Sequence, residues 1–356
     1  MEKVTYILGA GFSAPLGLPV MRNFLIKSKD LYFSSPKEYA HFKSVFDVIE
    51  HLSVIKNYYD ADLFNIEEIL SIIEMDNFLM GKKIRRDFLK YISDVISFYT
   101  PQLKPYQGEL PGNWYDFIFG DDKLLSYYGY FVANLFNLEI VVRKLQDYGR
   151  LVRQFIIRPC NLISTRYAII TLNYDVVLEE FCNFINNQYN NEDKISFNRE
   201  TPPGDWTTPP LAKLHGSVDI DLIVPPTWAK GTTPRVTPIW KNAYQILRES
   251  NHIRFIGYSL PIADGYIKYL IKSAVVHAKH LKSIDVICLD PDGSVKTRYE
   301  DFIKFAYCRF ANDSTYEYLM MLHDINKKKT HTIDQNLPYK MNVLEHVHET
   351  FMAKYS

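Results

Sequence analysis

The sequence predicts an α/β protein: a Rossmann-like parallel sheet with helices on both faces, plus a large helical insertion after the first strand. Two observations lead to this fold class. First, four short apolar runs are each followed within a few residues by a helix-compatible segment, which is typical of parallel sheets with right-handed crossovers. Second, the pattern between the first two runs is helical. The runs are Val4–Leu8, Tyr167–Leu172, His252–Gly257 and Ile284–Leu289.

The first run, Val4–Leu8, is too short for a helix and stops at Gly9, as a buried parallel strand does. From about residue 20 to about residue 160, apolar residues recur at spacings of three and four with no convincing strand. Examples are Ile66, Ile69, Leu70 and Ile73, and later Phe131, Leu135, Leu138, Val141 and Leu145. We therefore predict a Rossmann-like domain formed by residues 1–30 and 160–310, a helical insertion at 31–159 and a C-terminal helical extension at 311–356.

Composition excludes several classes of protein. A chain of 356 residues is long enough for two modules, or for one large module with an insertion. The content of 47% hydrophobic, 15% aromatic and 23% charged residues excludes a disordered, collagenous or coiled-coil chain. Because 41 basic residues balance 41 acidic ones, no overall field attracts nucleic acid or an anionic membrane. We expect no direct nucleic-acid binding.

The cysteines and the apolar segments make two further classes improbable. The cysteines Cys160, Cys182, Cys288 and Cys308 are far apart in the sequence and form no CxxC pair, so we expect no metal site. No segment approaches the ~20 apolar residues that cross a bilayer. We expect a cytoplasmic protein without a membrane segment.

A glycine-rich turn follows the first strand. Glycines at this place let the backbone turn tightly and approach a pyrophosphate, whose charge faces the amides of the next helix. The turn consists of Gly9, Ala10, Gly11, Phe12 and Ser13. A tight turn without a ligand is the alternative. The next glycine, Gly17, comes six residues after Gly11, which differs from the GxGxxG of dehydrogenases and disfavours hydride transfer.

Polar residues follow the second strand at Asn173 and Asp175. In an open α/β sheet, ligands bind beyond the carboxyl ends of the strands, so both side chains are expected to meet a ligand bound at the glycine turn. The alternative is an Asn/Asp turn that caps the next helix.

Two more motifs are expected at the same edge of the sheet, beyond the carboxyl ends of the strands. His215 is followed by Gly216, which lets the chain bend and leaves the imidazole facing a cleft, and a group with a pKa near ~6.5 exchanges protons at neutral pH. A structural histidine is the alternative. Gly257, Tyr258 and Ser259 follow the third strand, where a glycine and a hydroxyl suit ribose or phosphate. Here the alternative is an ordinary turn with Pro261 near a helix start.

This ordered set of motifs resembles the sirtuin family, which binds NAD. It is most similar to the sirtuin-like proteins of bacterial antiphage defence, because the segments at 222–228 and 257–261 resemble segments of those proteins. The resemblance spans residues 7 to about 292, and the motifs are specific in combination. The resemblance implies that the NAD phosphates are held by Gly9, Ala10, Gly11 and Ser13. Asn173 lies beside the nicotinamide ribose, Asp175 lies near the carboxamide, and His215 is the acid–base residue.

The remaining positions follow from the same resemblance. Gly257 and Ser259 line the adenosine side, with Tyr258 between them, and the segment at 289–292 borders the adenine ribose through Asp290. Phe12 and Pro19 belong to the glycine-turn region, and Arg22 stands where sirtuins have the Arg of a Gly-Ile-Pro-Asp-Phe-Arg segment. We expect all of these to contact NAD.

Departures from the family pattern make protein deacylation a less expected activity than NAD cleavage. The chain has Val20-Met21 where deacylating sirtuins have Asp-Phe, Leu172 where they have Gln, and no four-cysteine zinc module. The resemblance then implies a metal-free hydrolase that cleaves NAD to nicotinamide and ADP-ribose and depletes NAD when activated, as an abortive-infection effector. The alternatives are an NAD or ADP-ribose sensor or scaffold without turnover, and a zinc-independent deacylase or ADP-ribosyltransferase. The implied partners are further copies of the chain or a hexameric DNA-translocase-type ATPase.

Overall fold

A six-stranded parallel sheet lies at the centre of the computed structural model. The structure describes residues 1–55, 65–80, 84–108, 110–147, 150–160, 163–189, 194–199, 204–220, 222–224, 234–262, 264–276, 278, 280–331 and 342–355. The strands are β1 (Glu2–Leu8), β2 (Leu138–Asp147), β3 (Arg150–Pro159), β4 (Thr165–Thr171), β5 (Leu211–Lys213), β6 (Gly216–Ser217), β7 (Leu222–Ile223), β8 (His252–Ile256), β9 (Ser283–Ile287) and β10 (Cys308–Ala311). The sheet order is β10-β9-β8-β1-β4-β5, and its neighbours pair in parallel.

The helices surround this sheet. They are α1 (Ala10–Ser13), α2 (Met21–Ser34), α3 (Phe42–Ile55), α4 (Ile66–Met80), α5 (Ile84–Tyr99), α6 (Lys123–Leu135), α7 (Val177–Gln188), α8 (Thr237–Glu249), α9 (Gly265–Val275), α10 (Ser294–Phe302), α11 (Thr315–His331) and α12 (Val343–Met352). The predicted fold class is therefore confirmed. Within the ranges given above, no helix combines the length and apolar character that a membrane crossing needs.

Each strand places alternate residues on opposite faces of the sheet, so two separate cores form. Tyr6 and Leu8 of β1 belong to a core built with α6, α7, α11 and α12, whereas Ile7 belongs to a core built with α8, α9 and α10. The four predicted strands correspond to β1, β4, β8 and β9. Strands β5 and β10 extend the two edges, and they escaped prediction because they have only 3 and 4 residues.

The segment between β1 and β4 is mainly helical, as predicted, with one exception. Helices α3, α4 and α5 pack with α2 around a third core that includes Phe42, Leu70 and Tyr91. The exception is an antiparallel hairpin of β2 and β3, which replaces the helix expected from the spacing of Leu138, Val141 and Leu145. Helix α6 ends at Leu135, and the left-handed φ of 53° at Asn137 turns the chain into β2. The consecutive β-branched residues at 140–142 then favour a strand.

Candidate functional site

A cleft of about 890 Å³ opens at the carboxyl ends of β1, β4, β8 and β9. This volume is within the range of small-molecule and cofactor sites, roughly 300–1,000 Å³. Most of the residues predicted to form a site line it. They are Gly9, Ala10, Gly11, Ser13, Pro19, Arg22, Asn173, Asp175, His215, Gly257, Tyr258 and Ser259. The fold thus brings together motifs that are separated by up to 250 positions, because parallel strands end at one edge of the sheet.

The glycine turn and the turn after β8 touch through their backbones. The Gly11 amide donates to the Gly257 carbonyl over 2.9 Å, and the Gly9 amide donates to the Ile256 carbonyl over 3.0 Å. A Cβ atom on Gly257 would lie 2.2 Å from the Phe12 nitrogen, and one on Gly9 would lie 2.6 Å from the Gly257 oxygen. Side chains are therefore excluded here by the contact between the two turns. The same absence of side chains lets a ligand approach the peptide backbone along this wall of the cleft.

Asn173 ties the turn after β4 to the glycine turn. Its side-chain amide nitrogen donates to the Gly9 carbonyl over 3.0 Å and to the Ser13 hydroxyl over 3.2 Å. Its backbone amide donates to the Thr171 hydroxyl over 3.1 Å. The two side-chain contacts set the amide plane of Asn173, which is the orientation control that a group acting on a substrate requires.

Asp175 combines a capping role with a place in the cleft. Its Oδ1 accepts from the Val177 amide over 3.2 Å at the start of α7, which is the helix cap considered as the alternative. Burial raises the pKa of the Asp175 carboxyl, while the Lys213 charge and a hydrogen bond from Ser13 act in the opposite direction. Capping and contact with the cleft coexist, so the two interpretations of this residue do not exclude each other.

His215 lies at the inner wall of the cleft and is 1% exposed. Its ring packs against that of Tyr174, with centroids 5.8 Å apart, and its carbonyl accepts from the Val224 amide over 2.8 Å. Gly216 has a φ of 86°, and a Cβ atom there would lie 1.9 Å from the Leu222 oxygen. The glycine after His215 is therefore required for the bend that directs the chain away from the cleft.

Two predicted residues do not line the cleft. The Phe12 side chain packs in the core against Tyr128 and Phe131, with ring centroids 5.3 and 5.4 Å away. Asp290 is buried and caps α10, since its Oδ1 and Oδ2 accept from the amides of Val295 and Lys296 over 3.0 and 2.9 Å. Its neighbours at positions 289, 291 and 292 line the cleft instead. The residues at 225–228, part of the segment that contributed to the resemblance, lie outside the described residues.

Several residues of the cleft were not predicted. Arg298 of α10 donates from Nε to the Ser259 carbonyl over 3.0 Å, and the Thr315 hydroxyl donates to the Gly11 carbonyl over 3.0 Å. Apolar side chains of the insertion, including Leu70 and Ile92, form another wall. Arg298 lies one helical turn after Ser294, and Thr315 comes soon after the short strand β10. Both residues are visible in the sequence, but only the order of strands in the sheet shows that they reach the cleft.

Comparison with known proteins finds a family model that matches part of this chain. Residues 167–315 match the model of the SIR2-like domain. The match includes the turns after β4 and β8 and His215, whereas the glycine turn lies before it. No curated protein matches the chain. The residues of the cleft fit NAD in volume, in the bare backbone of the glycine turn and in their polar groups. Residues 167–315 are therefore similar to the SIR2-like domain, and SIR2-like domains are NAD-dependent enzymes.

Proposed function

We propose that the protein hydrolyses NAD to nicotinamide and ADP-ribose. The observation that carries this proposal is the convergence of Asn173, Asp175 and His215 with the glycine turn on one cleft. The cleft lies at the edge of the sheet where nucleotides bind in open α/β folds. The SIR2-like match supports NAD as the nucleotide.

The chemistry requires little acid catalysis from the protein. Nicotinamide leaves NAD as a neutral base from a cationic form, so the site must orient the substrate, stabilise a ribosyl cation and place a water. The oriented amide of Asn173 positions a ribose hydroxyl or that water. His215, when neutral, takes the proton of the attacking water. The Asp175 carboxylate accepts a hydrogen bond from the carboxamide and offsets positive charge that develops on the ribose.

Hydrolysis rather than deacylation is favoured by residues that line the cleft. Val20, Met21 and Leu172 form part of its wall. They stand where deacylating sirtuins have Asp, Phe and Gln, so the wall departs from the pattern of a deacylase. Water is then the acceptor of the ADP-ribosyl group.

The test is release of nicotinamide from NAD by the purified protein. His215→Ala and Asn173→Ala should each abolish release, while circular dichroism shows an unchanged fold. His346→Ala is the matched control, because His346 is exposed on α12 and does not line the cleft. Release that survives both cleft substitutions would refute the site assignment.

Two outcomes would redirect the proposal to the alternatives. NAD binding without nicotinamide release indicates a sensor or scaffold. NAD consumption that requires an added acyl-lysine or acceptor protein indicates a deacylase or an ADP-ribosyltransferase.

We also propose, from the resemblance alone, an antiphage role in which NAD is depleted on activation. The switch would be a homo-oligomer or a hexameric DNA-translocase-type ATPase. Light scattering combined with the NAD assay, with and without proteins encoded nearby, tests this part. A monomer that is fully active alone contradicts it.

A further inference from the structure

The motif around His215 contains a lysine that the proposed chemistry does not use. Lys213 is the last residue of β5, and its side chain is only 5% exposed. Lysine is almost never buried to this extent unless its charge is paired, because an isolated buried charge is strongly unfavourable. The place of Lys213, two residues before His215, therefore calls for an explanation.

The contacts of Lys213 converge on the turn that carries Asn173 and Asp175. Its Nζ donates a hydrogen bond to the backbone carbonyl of Asp175 and another, over 3.2 Å, to Oε1 of Glu179. The Val218 amide donates to the Tyr174 carbonyl over 3.0 Å. The turn is thus attached to the β5 side of the site at two successive carbonyls, and its course determines where Asn173 and Asp175 lie.

Charged and titratable groups face the Asp175 carboxyl from several elements. Lys213 of β5 lowers its pKa, and Glu179 of α7 raises it. Tyr128 of α6 also faces it: burial raises the pKa of this phenol well above its ordinary value, and the Asp175 charge adds to the effect. Beyond Glu179, Arg199 pairs with both Glu179 and Asp219.

A small recess lies between these groups. It has a volume of about 10 Å³, and its wall includes Ser13, Asn173, Asp175, Glu179 and Lys213. This is about the space that one water molecule needs, and the wall offers the several polar partners that a buried water requires. The recess adjoins the site, because Ser13, Asn173 and Asp175 line both the recess and the cleft.

We propose that Lys213 is a positioning residue of the cleft: it holds the turn at 173–177 through the Asp175 carbonyl and supplies a buried positive charge beside the Asp175 side chain. Its effect on catalysis rests on the proposed function. Its effect on Asp175 does not, so the two can be tested separately.

The first test measures the Asp175 carboxyl directly. Protein labelled with ¹³C at the aspartate carboxyl carbons is titrated by NMR, and Asp175→Asn identifies the resonance. An opposite charge at close range lowers a carboxyl pKa by about 1–3 pH units, so Lys213→Met should raise the Asp175 midpoint by an amount in that range. Glu179→Gln should lower the midpoint, because it removes a negative charge from the same network.

Opposite movements of the two midpoints distinguish a charge effect from general damage, which would move both in one direction. Lys213→Arg keeps the charge and should leave the midpoint below that of Lys213→Met. Should Lys213→Met fail to fold, Lys213→Gln, which also removes the charge, takes its place in these comparisons. Midpoints that do not move, or that move together, overturn the proposal.

The second test uses NAD hydrolysis. The acid limb of the kcat profile should move with the Asp175 midpoint, upward in Lys213→Met and downward in Glu179→Gln. An unchanged acid limb in both variants contradicts the catalytic consequence. If the wild-type protein releases no nicotinamide, the proposed function fails, while the NMR result still decides the role of Lys213.

Discussion

The contact between the two turns makes Gly257 the most sensitive glycine of the cleft. Its φ is 63°, and an added Cβ would lie 2.2 Å from the Phe12 nitrogen and 2.3 Å from the Gly11 carbonyl carbon. Both are backbone atoms, so neither can rotate away. The left-handed conformation of an alanine contributes about 1–2 kcal/mol of destabilisation and the overlap about 1–3 kcal/mol. We expect Gly257→Ala to lower the free energy of unfolding by about 2–5 kcal/mol.

Two other glycines separate these contributions. Gly293 has a φ of 77°, and no atom of the described residues lies within 4 Å of an added Cβ, so Gly293→Ala should show only the conformational effect, about 1–2 kcal/mol. Gly265 has neither a positive φ nor a close atom, so Gly265→Ala should stabilise the protein by about 0.4–1 kcal/mol.

Urea unfolding followed by circular dichroism gives the three differences in stability, and calorimetry gives the affinity for NAD. Gly257→Ala should also weaken NAD binding, because the overlap displaces the glycine turn that lines the cleft. The reasoning is refuted if Gly257→Ala is no less stable than Gly293→Ala, or if it binds NAD as tightly as the wild type.

The remaining predictions concern the polar contacts of α12 with the sheet. Arg254 is 1% exposed and donates to both carboxylate oxygens of Glu345 over 2.8 and 2.6 Å. Glu345→Leu should therefore destabilise the protein by about 3–5 kcal/mol in urea unfolding, and the double variant with Arg254→Met should recover part of this loss. Burial lowers the pKa of His348 to about 4 from the ordinary 6.5, so the folded protein keeps it neutral where the unfolded chain binds a proton. Stability should fall as the pH drops from 6.5 towards 4, by about 2 kcal/mol at pH 5, and His348→Gln should flatten this dependence. Below pH 4 a further loss is expected from Asp285: although burial raises its pKa, hydrogen bonds with His348 and Arg309 hold that pKa well below its usual range. A dependence unchanged in His348→Gln would contradict the assignment to this histidine.

The elements that local sequence predicted well are those whose signal is contained in a few consecutive residues. The strands of 5 to 7 residues in the centre of the sheet are apolar along most of their length, as burial on both faces requires. The hairpin of β2 and β3 was missed because a spacing of three and four residues across 131–145 continues the pattern of α6. Only the turn at Asn137 separates the two elements.

The site likewise contains features that local sequence predicted and features that it did not. The motifs after β1, β4 and β8 were recognisable because glycine and short polar residues at strand ends have a local meaning. Phe12 and Asp290 belong to such motifs, yet their side chains point into the core and into a helix cap. Which residue of a turn faces the cleft depends on the backbone dihedral angles of that turn. The sequence of a motif does not show which of its neighbouring residues points into the cleft.

The amino-acid sequence by itself determined the parallel α/β architecture, the glycine turn and the polar residues beyond the strands, since each depends on short-range backbone preference and on apolar patterning. Tertiary structure alone decided that Arg298, Thr315 and the insertion complete the cleft, and that Lys213 reaches the turn of Asp175. Those contacts join residues of different elements. Their geometry depends on the order of strands in the sheet, which no local pattern encodes.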